Sequence, residues 1–386
     1  MLDNPRADEY QPGRARVGPY IDALYIILRS SDPIERLRPK WETKVMQSEY
    51  SFWNRRDFLK ASGTSAAALG MAGAGSVTAK AAQEPAGQTA MPADTPYPKL
   101  SIITPYSPQK LAFAAQAGYE GVVVTPGPDF NPELSDSAID QILATARNAG
   151  IRIVSIEYFG PNHTDPDAGK RASANAEFVR ALEFCHRLGC KFVGTFSGGM
   201  PGDSMQDQAK AFVDVFNEKY LPVCEKLDVT MGWEGYPNPA NFASTPAAMQ
   251  AIFDLVSSKR LGLEFDPSHF VRQYIDPVNV ARQFKDRILA VHAKDTEIIQ
   301  PVLQQVGIAG HGWWRYRIPG QGIVNWPEFL TVLLQIKFKG GIAVEHEDQF
   351  WDAPHSGNLP DFPQQRKDGF ILARRFLGQY LPGRLV

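Results

Sequence analysis

Four side chains that commonly bind metal ions follow four successive apolar runs in the second half of this 386-residue chain. Three of them are carboxylates, which would repel one another or become protonated if they converged in a low-dielectric pocket. A divalent cation removes that repulsion, and three carboxylates with one imidazole form a hard, oxygen-rich ligand set. We therefore expect a divalent-metal site, with Mn²⁺ as first choice and Mg²⁺ or Co²⁺ as alternatives, rather than a structural zinc. The four residues are Glu234, Asp266, His292 and Glu345.

Eight short apolar runs, separated by segments with helix-period apolar residues, must position these groups. Alternating strands and helices indicate a parallel sheet, and eight repeats in this length predict a single (β/α)8 TIM barrel. A doubly wound sheet is the alternative, but no Gly-x-Gly-x-x-Gly follows the first strand. The predicted strands are Leu100–Pro105, Gly121–Thr125, Arg152–Tyr158, Phe192–Ser197, Val229–Gly235, Leu261–Asp266, Ile288–Lys294 and Gly341–His346.

The alternation of side chains along each strand indicates which residues share the barrel interior. Small residues lie two positions before three of the four ligand candidates, which leaves room for the polar groups to converge on the barrel axis. Asp266 is the exception, because Glu264 lies two positions before it, and we expect Glu264 to support the ligands rather than bind metal itself. The small residues are Gly232, Ala290 and Ala343.

The N-terminal region has the pattern of an export signal. Arg55-Arg56 is followed by Asp57-Phe58-Leu59-Lys60, by an uncharged run of small residues and by Ala79-Lys80-Ala81, a small-x-small cleavage site. This order is typical of a twin-arginine (Tat) signal, and the run is too poor in large apolar residues for a permanent membrane span. We expect a periplasmic or secreted protein, without a stable membrane span after cleavage. Translation starts at Met1 or at Met46.

The predicted domain organisation has three parts. Residues 1–81 form the N-terminal extension and signal peptide, residues 82–98 form a Pro-containing linker, and residues 99–386 form the barrel. An insertion, 297–324, rich in Gly and aromatic residues, separates the last two predicted strands.

Charge and cysteine content narrow the classes of partner. Of the 40 basic and 42 acidic residues, residues 1–81 hold 12 and 9, so the remainder carries 28 and 33, a net charge of −5. No basic stripe is present there, which argues against nucleic acid as a partner. Cys185, Cys190 and Cys224 have no disulfide or zinc spacing and are expected to be buried thiols. A small sugar is the expected partner, and homo-oligomerisation stays open.

Four segments resemble the xylose-isomerase-like sugar isomerase/epimerase superfamily over most of residues 99–380. By that resemblance, Glu234, Asp266, His292 and Glu345 bind the metal, and Glu234 and Glu345 also transfer protons. The resemblance further implies that His269 holds substrate oxygens. The segments are Asp266-Pro267-Ser268-His269, His292-Ala293-Lys294-Asp295, Pro319-Gly320-Gln321-Gly322-Ile323-Val324-Asn325-Trp326 and Val344-Glu345-His346-Glu347.

Two positions depart from the ketose 3-epimerases of that superfamily. Ala240 replaces a substrate-binding Glu and Ile298 replaces an Arg, which argues against a simple free-ketose 3-epimerase. The insertion supplies candidate replacements, with a structural aromatic cluster as the alternative interpretation. We expect Asp295 to fix Lys294 or His292, and Glu157 to touch the sugar from the end of the third strand. The insertion candidates are His311, Trp313, Trp314, Arg315 and Arg317, and the predicted substrate-binding set is His269, Lys294, Asp295, Glu157, Arg317 and Trp314.

The sequence therefore predicts a divalent-metal-dependent isomerase or epimerase for a keto-sugar or keto-glycoside, with proton transfer through a metal-stabilised enediolate. A metal-dependent lyase, dehydratase or hydrolase acting on 3-keto-glycosides or inososes needs the same site. A non-catalytic carbohydrate-binding protein and a tri-zinc barrel nuclease are further alternatives. The four ligand candidates argue against the former, and the acidic body with few His residues argues against the latter.

Overall fold

A computed structural model describes residues 98–352 and 359–381. Eight parallel strands close into a barrel in the order β1-β10-β7-β6-β5-β4-β3-β2, which confirms the predicted fold. β1 pairs with both β2 and β10, so the sheet has no free edge. The strands are β1 (Lys99–Pro105), β2 (Gly121–Thr125), β3 (Arg152–Glu157), β4 (Phe192–Thr195), β5 (Thr230–Glu234), β6 (Leu261–Phe265), β7 (Ile288–Ala293) and β10 (Gly341–Val344).

Helices connect the strands and bury their apolar stripes against the outside of the barrel. A π-helical turn, Phe216–Tyr220, lies between α4 and α5. The helices are α1 (Pro108–Gln116), α2 (Asp136–Ala149), α3 (Ala168–Arg187), α4 (Met205–Val215), α5 (Leu221–Leu227), α6 (Pro246–Phe253), α7 (Pro267–Val271), α8 (Pro277–Gln283), α9 (Gln300–Val306), α10 (Trp326–Gln335) and α11 (Gln364–Gly378).

Polar residues cap several helices at the end of the barrel where the strands terminate. Ser107, Ser135 and Thr245 each accept a hydrogen bond from a backbone N–H three residues later. Such a bond satisfies a donor that the first helical turn leaves without a partner. The capped turns hold the strand-to-helix loops, which carry the site, in defined conformations.

The predicted insertion contains a hairpin, which we call the arm. Its strands are β8 (Asp295–Ile298) and β9 (Trp314–Arg317), which pair antiparallel and carry α9 between them. The hairpin begins at Asp295, two residues before the predicted insertion. Its strands lie outside the closed barrel, at the carboxyl end of β7.

The three cysteines are buried and free, as predicted. Among residues 98–352 and 359–381, no helix combines the length and apolar character needed to span a bilayer. The export signal, its cleavage site and nearly all of the linker lie outside the described residues.

Candidate metal and sugar site

The four predicted ligands come together inside the barrel at the carboxyl ends of β5, β6, β7 and β10. Each offers one ligand atom, and these atoms all lie within 4.8 Å of one another. The Nδ1 atom of His292 lies 2.8 Å from Oε1 of Glu234 and 3.2 Å from Oε2 of Glu345. Two glutamates from different sides of the barrel thus reach the same imidazole nitrogen.

Asp266 shows how the local fold prepares one of these groups. It is the N-cap of α7, and its Oδ1 accepts a 2.7 Å hydrogen bond from the backbone N–H of Ser268. Its Oδ2 is buried and has no hydrogen-bond partner among the described residues. A buried carboxylate oxygen without a hydrogen bond is expensive, and a bound cation would stabilise it in addition to the 3.2 Å ion pair that it forms with Lys294. The residues present therefore fit a divalent metal.

A second acidic layer lies on the other side of the His292 ring. Its Nε2 lies 3.0 Å from Oε1 of Glu264 and 3.1 Å from Oε1 of Glu157. Glu264 reaches across the barrel toward Gly194, where any side chain would collide with its carboxylate. A cavity of about 180 Å³, lined in part by Glu264 and His292, extends into the barrel interior from this layer. Glu157 therefore contacts Nε2 of the His292 ring, whereas Glu234 contacts Nδ1. The expected contact of Glu157 with a sugar is not what this position indicates.

Burial and neighbouring charges divide the carboxylates into two groups. Burial raises the pKa of Glu157 to about 8, and it raises that of Glu264 as well, although His292 opposes both shifts. Burial also acts on Glu234 and Glu345, but their cationic neighbours outweigh it and lower the pKa of both. The lowered value for Glu345 is about 2, with Lys294 as the largest opposing influence. The two glutamates expected to transfer protons are thus the ones held as carboxylates.

Lys294 supplies positive charge directly beside the ligands. Its buried Nζ lies 2.7 Å from Oε2 of Glu345, 3.2 Å from Oδ2 of Asp266 and 2.9 Å from Oε2 of Glu347. Burial disfavours the ammonium, but these carboxylates outweigh burial and hold the pKa of Lys294 well above its ordinary value. Lys294 therefore balances the charge of the acidic cluster, and its predicted role in binding substrate stays a prediction.

His269 also lies at the cluster, as the resemblance implied. Its Nε2 is 3.3 Å from Oε1 of Glu234 and 3.3 Å from Oδ2 of Asp266. Its Nδ1 forms a 2.8 Å hydrogen bond with the hydroxyl of Tyr316, which also accepts one from Arg272. Tyr316 is a site residue that the sequence interpretation missed. The period-2 alternation around Trp314 contained a signal for it, because both residues lie on the same face of β9.

Asp295 is a correction to the sequence interpretation. Its Oδ1 accepts hydrogen bonds from the backbone N–H groups of Thr296 and Val324, and its Oδ2 accepts from Gly320 and from the Trp326 indole. Because both oxygens are saturated by these donors, Asp295 fixes the arm instead of Lys294, His292 or a sugar.

Arg317 is a second correction. Its guanidinium donates to Asp348 at 2.7 Å and to Glu297, and its side chain is only 11% exposed. Its charge is already paired, so Arg317 stabilises the base of the arm. Trp314 lies half-buried on β9, with the guanidinium of Arg272 4.2 Å from its ring centroid. The described structure thus keeps Trp314 as a sugar-stacking candidate but not Arg317.

Comparison with known proteins assigns the chain to a family. A family model described as a xylose isomerase-like TIM barrel matches residues 111–366. The chain belongs to this family. An inosose dehydratase from Lacticaseibacillus casei is 23% identical over 186 residues, which is 45% of this chain and 62% of that protein. The match thus spans less than two thirds of that curated relative.

Solved structures of this family share the fold. A xylose isomerase domain protein from Planctomyces limnophilus superposes with a TM-score of 0.58 at 19% identity, covering 74% of this chain and 97% of that one. A D-psicose 3-epimerase, solved in the presence of D-fructose, has a TM-score of 0.56 at 18% identity and covers 72% and 99%. At these identities the similarity shows the barrel architecture alone.

Proposed function

We propose that this protein is a divalent-metal-dependent isomerase or epimerase that acts on a keto-sugar or keto-glycoside. The observation that carries the proposal is the pair Glu234 and Glu345, whose carboxylates approach one imidazole nitrogen from two different strands. Two ionised carboxylates around one point can act on opposite faces, or on neighbouring carbons, of a small substrate. The named activities of its family relatives support the same class of chemistry.

Glu234, Asp266, His292 and Glu345 would hold the metal, which we propose to be Mn²⁺, with Mg²⁺ or Co²⁺ as alternatives. A bound cation would polarise a sugar carbonyl and acidify the neighbouring C–H. Asp266 contributes Oδ2, which has no hydrogen bond among the described residues, and His292 contributes Nδ1, since its other nitrogen faces Glu157 and Glu264.

The proton transfer requires one base and one acid. One of Glu234 and Glu345 removes the proton beside the carbonyl. The other first takes up a proton from water, since both are held as carboxylates, and returns it to the opposite face, which gives an epimer, or to the next carbon, which gives an isomer. His269 is well placed to hold a substrate oxygen, because its Nε2 faces the ligand cluster and has no hydrogen-bond partner among the described residues.

Exchange of solvent deuterium tests this function. Metal-reconstituted protein in D₂O is incubated with keto-sugars, and incorporation beside the carbonyl is followed by NMR. Glu345→Gln should reduce the exchange rate by about 10²–10⁴-fold, the usual contribution of a positioned acid or base. Asp214→Asn, at an exposed i,i+4 ion pair with Lys210, is the matched control. Exchange at the parent rate in Glu345→Gln would remove the assigned role.

Dehydration is the second candidate function, favoured by the curated relatives named inosose dehydratases. It starts with the same proton abstraction, after which a neighbouring hydroxyl leaves as water. Mass spectrometry of the products separates the two, because an epimer keeps the substrate mass and a dehydration product lacks one water. An inosose is the substrate to use in this dehydration assay.

We also propose that the protein is exported through the Tat pathway to the periplasm or medium. The support is the order of the Arg55-Arg56 pair, the uncharged run and Ala79-Lys80-Ala81. Residues 1–98 fused to a reporter that requires folded export should direct it out of the cytoplasm. Changing Arg55 and Arg56 to Lys should retain the reporter inside, and export of both fusions would contradict the proposal.

A further inference from the structure

A second pocket lies beside the metal and sugar site, between the arm and the loop that follows β10. Its volume is about 420 Å³, which lies within the usual range for small-molecule sites. Trp314 and Tyr316 form one wall, and Glu347 and Gln349 form another. We call it the arm pocket.

The wall of the arm pocket is rigid and aromatic. The rings of Trp314 and Tyr316 meet edge to face with centroids 4.9 Å apart. Arg272 stacks on Trp314 and donates to the Tyr316 hydroxyl at 2.7 Å, so a single cation fixes both rings. Arg272 is not one of the residues that line the pocket, and it therefore supports the wall from outside. Flat aromatic surfaces of this kind suit the apolar face of a sugar ring.

The arm pocket adjoins the ligand cluster through two of its side chains. Glu347, on its wall, lies 2.9 Å from Nζ of Lys294, and the same Nζ lies 2.7 Å from Glu345. Tyr316, on the aromatic wall, bonds His269 at the ligand cluster. A molecule with its reacting ring at the ligands therefore has its next substituent beside Glu347 and Trp314.

The charges of the residues that line the arm pocket indicate which class of substituent the pocket can hold. Glu347 is 45% exposed at the pocket, and Arg315, which also lines the pocket, is paired with Glu297 at 2.8 Å. Glu347 carries a negative charge at the pocket, and the guanidinium of Arg315 is already paired. The pocket therefore disfavours a phosphate group. Carboxylate and amide groups beside aromatic rings favour a neutral polyol, which offers hydroxyl donors and an apolar face.

We propose that the arm pocket is a subsite for a second, neutral sugar ring, and that the substrate is a keto-glycoside rather than a free or phosphorylated keto-sugar. This inference rests on the proposed function, because it extends the same site outward from the ligands. Trp314 is the residue that distinguishes the second ring, and Glu347 and Gln349 meet its hydroxyl groups.

The test compares two probes, 3-keto-D-glucose and 3-keto-cellobiose oxidised in its non-reducing ring, by deuterium exchange with Mn²⁺-loaded protein. The parent should favour the disaccharide in kcat/KM by about tenfold, the scale of one aromatic stacking contact. Trp314→Ala should raise KM for the disaccharide more than KM for the monosaccharide, and it should therefore lose that preference. Trp314→Phe should retain part of it.

Trp313→Phe is the matched control, since this neighbouring indole is buried, stacks on Tyr274 and does not line the pocket. It should keep the parent preference. If Trp314→Ala keeps the preference as well, the subsite is overturned while the proposed function stands. If the parent acts on neither probe, the proposed function fails, and saturation-transfer NMR with cellobiose and D-glucose decides the subsite alone. Equal cellobiose signals from parent and Trp314→Ala would then overturn it.

Discussion

The Nε2 atom of His292 lies 3.0 Å from Oε1 of Glu264, while Nδ1 of the same ring lies 2.8 Å from Oε1 of Glu234. One imidazole thus separates two acidic layers with different properties. Glu264 and Glu157 have raised pKa values, chiefly because they are buried, whereas Glu234 has a lowered one. An acidic group at Nε2 holds the ring orientation and leaves Nδ1 directed at the metal ligands, a common arrangement around metal-binding histidines.

A methyl group at position 194 should weaken metal binding without touching a ligand. The added carbon of Gly194→Ala would meet the carboxylate of Glu264 well inside contact distance, so Glu264 must move away from His292. Loss of such an orienting partner commonly reduces metal affinity about 10–100-fold. Calorimetric titration with Mn²⁺ measures the change. Gly160→Ala, where a methyl group meets nothing within 4 Å, should bind like the parent.

Removal of the Lys294 ammonium should strengthen metal binding. In the described structure this cation offsets the charges of Glu345 and Asp266, and it would repel a divalent ion placed between them. We expect Lys294→Met to bind Mn²⁺ about tenfold more tightly, equivalent to ~1.4 kcal/mol, and to gain more thermal stability on metal addition than the parent. Lys191→Met, at an exposed pair with Asp228, is the control. Weaker Mn²⁺ binding by Lys294→Met than by the parent would contradict the expected repulsion between the ammonium and the metal ion.

Asp295→Asn should destabilise the arm and leave the metal site intact. An amide can accept with only one of its two atoms. Either the backbone N–H groups of Thr296 and Val324, or the backbone N–H of Gly320 and the indole N–H of Trp326, therefore lose their acceptor. A buried donor without a partner costs about 1–3 kcal/mol. Urea unfolding monitors the loss, and Mn²⁺ titration should give the parent affinity. A variant with parent stability and weak metal binding would restore the original interpretation of Asp295.

Because His163 is buried in its neutral form, the free energy of unfolding of the barrel should be lower in mild acid than at neutral pH. Burial lowers the pKa of His163 from 6.5 to about 3, and its ring bonds the hydroxyls of Tyr220 and Thr195. Between these two pH values the unfolded chain binds a proton that the folded chain excludes. The free energy of unfolding therefore falls as the pH drops below 6.5, by about 5 kcal/mol once the pH has passed below the folded-state pKa.

The matched variant for this effect is His163→Gln, which cannot be protonated in this range. Urea unfolding at pH 7 and pH 4.5 should show a smaller difference for the variant than for the parent. Equal differences would show that other groups cause the acid sensitivity.

The barrel could be predicted because its strands are buried runs of regular spacing. Gly121–Thr125 was predicted with the observed bounds, and Arg152–Tyr158 was one residue too long. The convergence of Glu234, Asp266, His292 and Glu345 could be predicted because parallel strands bring their carboxyl ends to the same end of a barrel, whereas their binding of a metal stays a prediction. Residue type and position were sufficient for both.

Contacts that depend on a partner distant in sequence could not be predicted. Glu264 was expected to support the ligands, but its position beside Nε2 of His292 depends on the register of β6 and on the open space at Gly194. Asp295 has backbone partners, which no residue type reveals. Paired residues of the two arm strands are 16 to 22 positions apart in the sequence, and only the fold shows that this pairing brings Tyr316 to His269.

The anchoring of the arm through Asp295 has a consequence for how such a barrel diversifies. Three of the four groups that Asp295 holds are peptide N–H donors, which almost any sequence supplies. The stretch between β7 and α10 can therefore change its side chains extensively while it stays attached at the same place. Descendants of this chain could therefore change what that stretch binds by drift, while the acidic cluster inside the barrel is inherited unaltered.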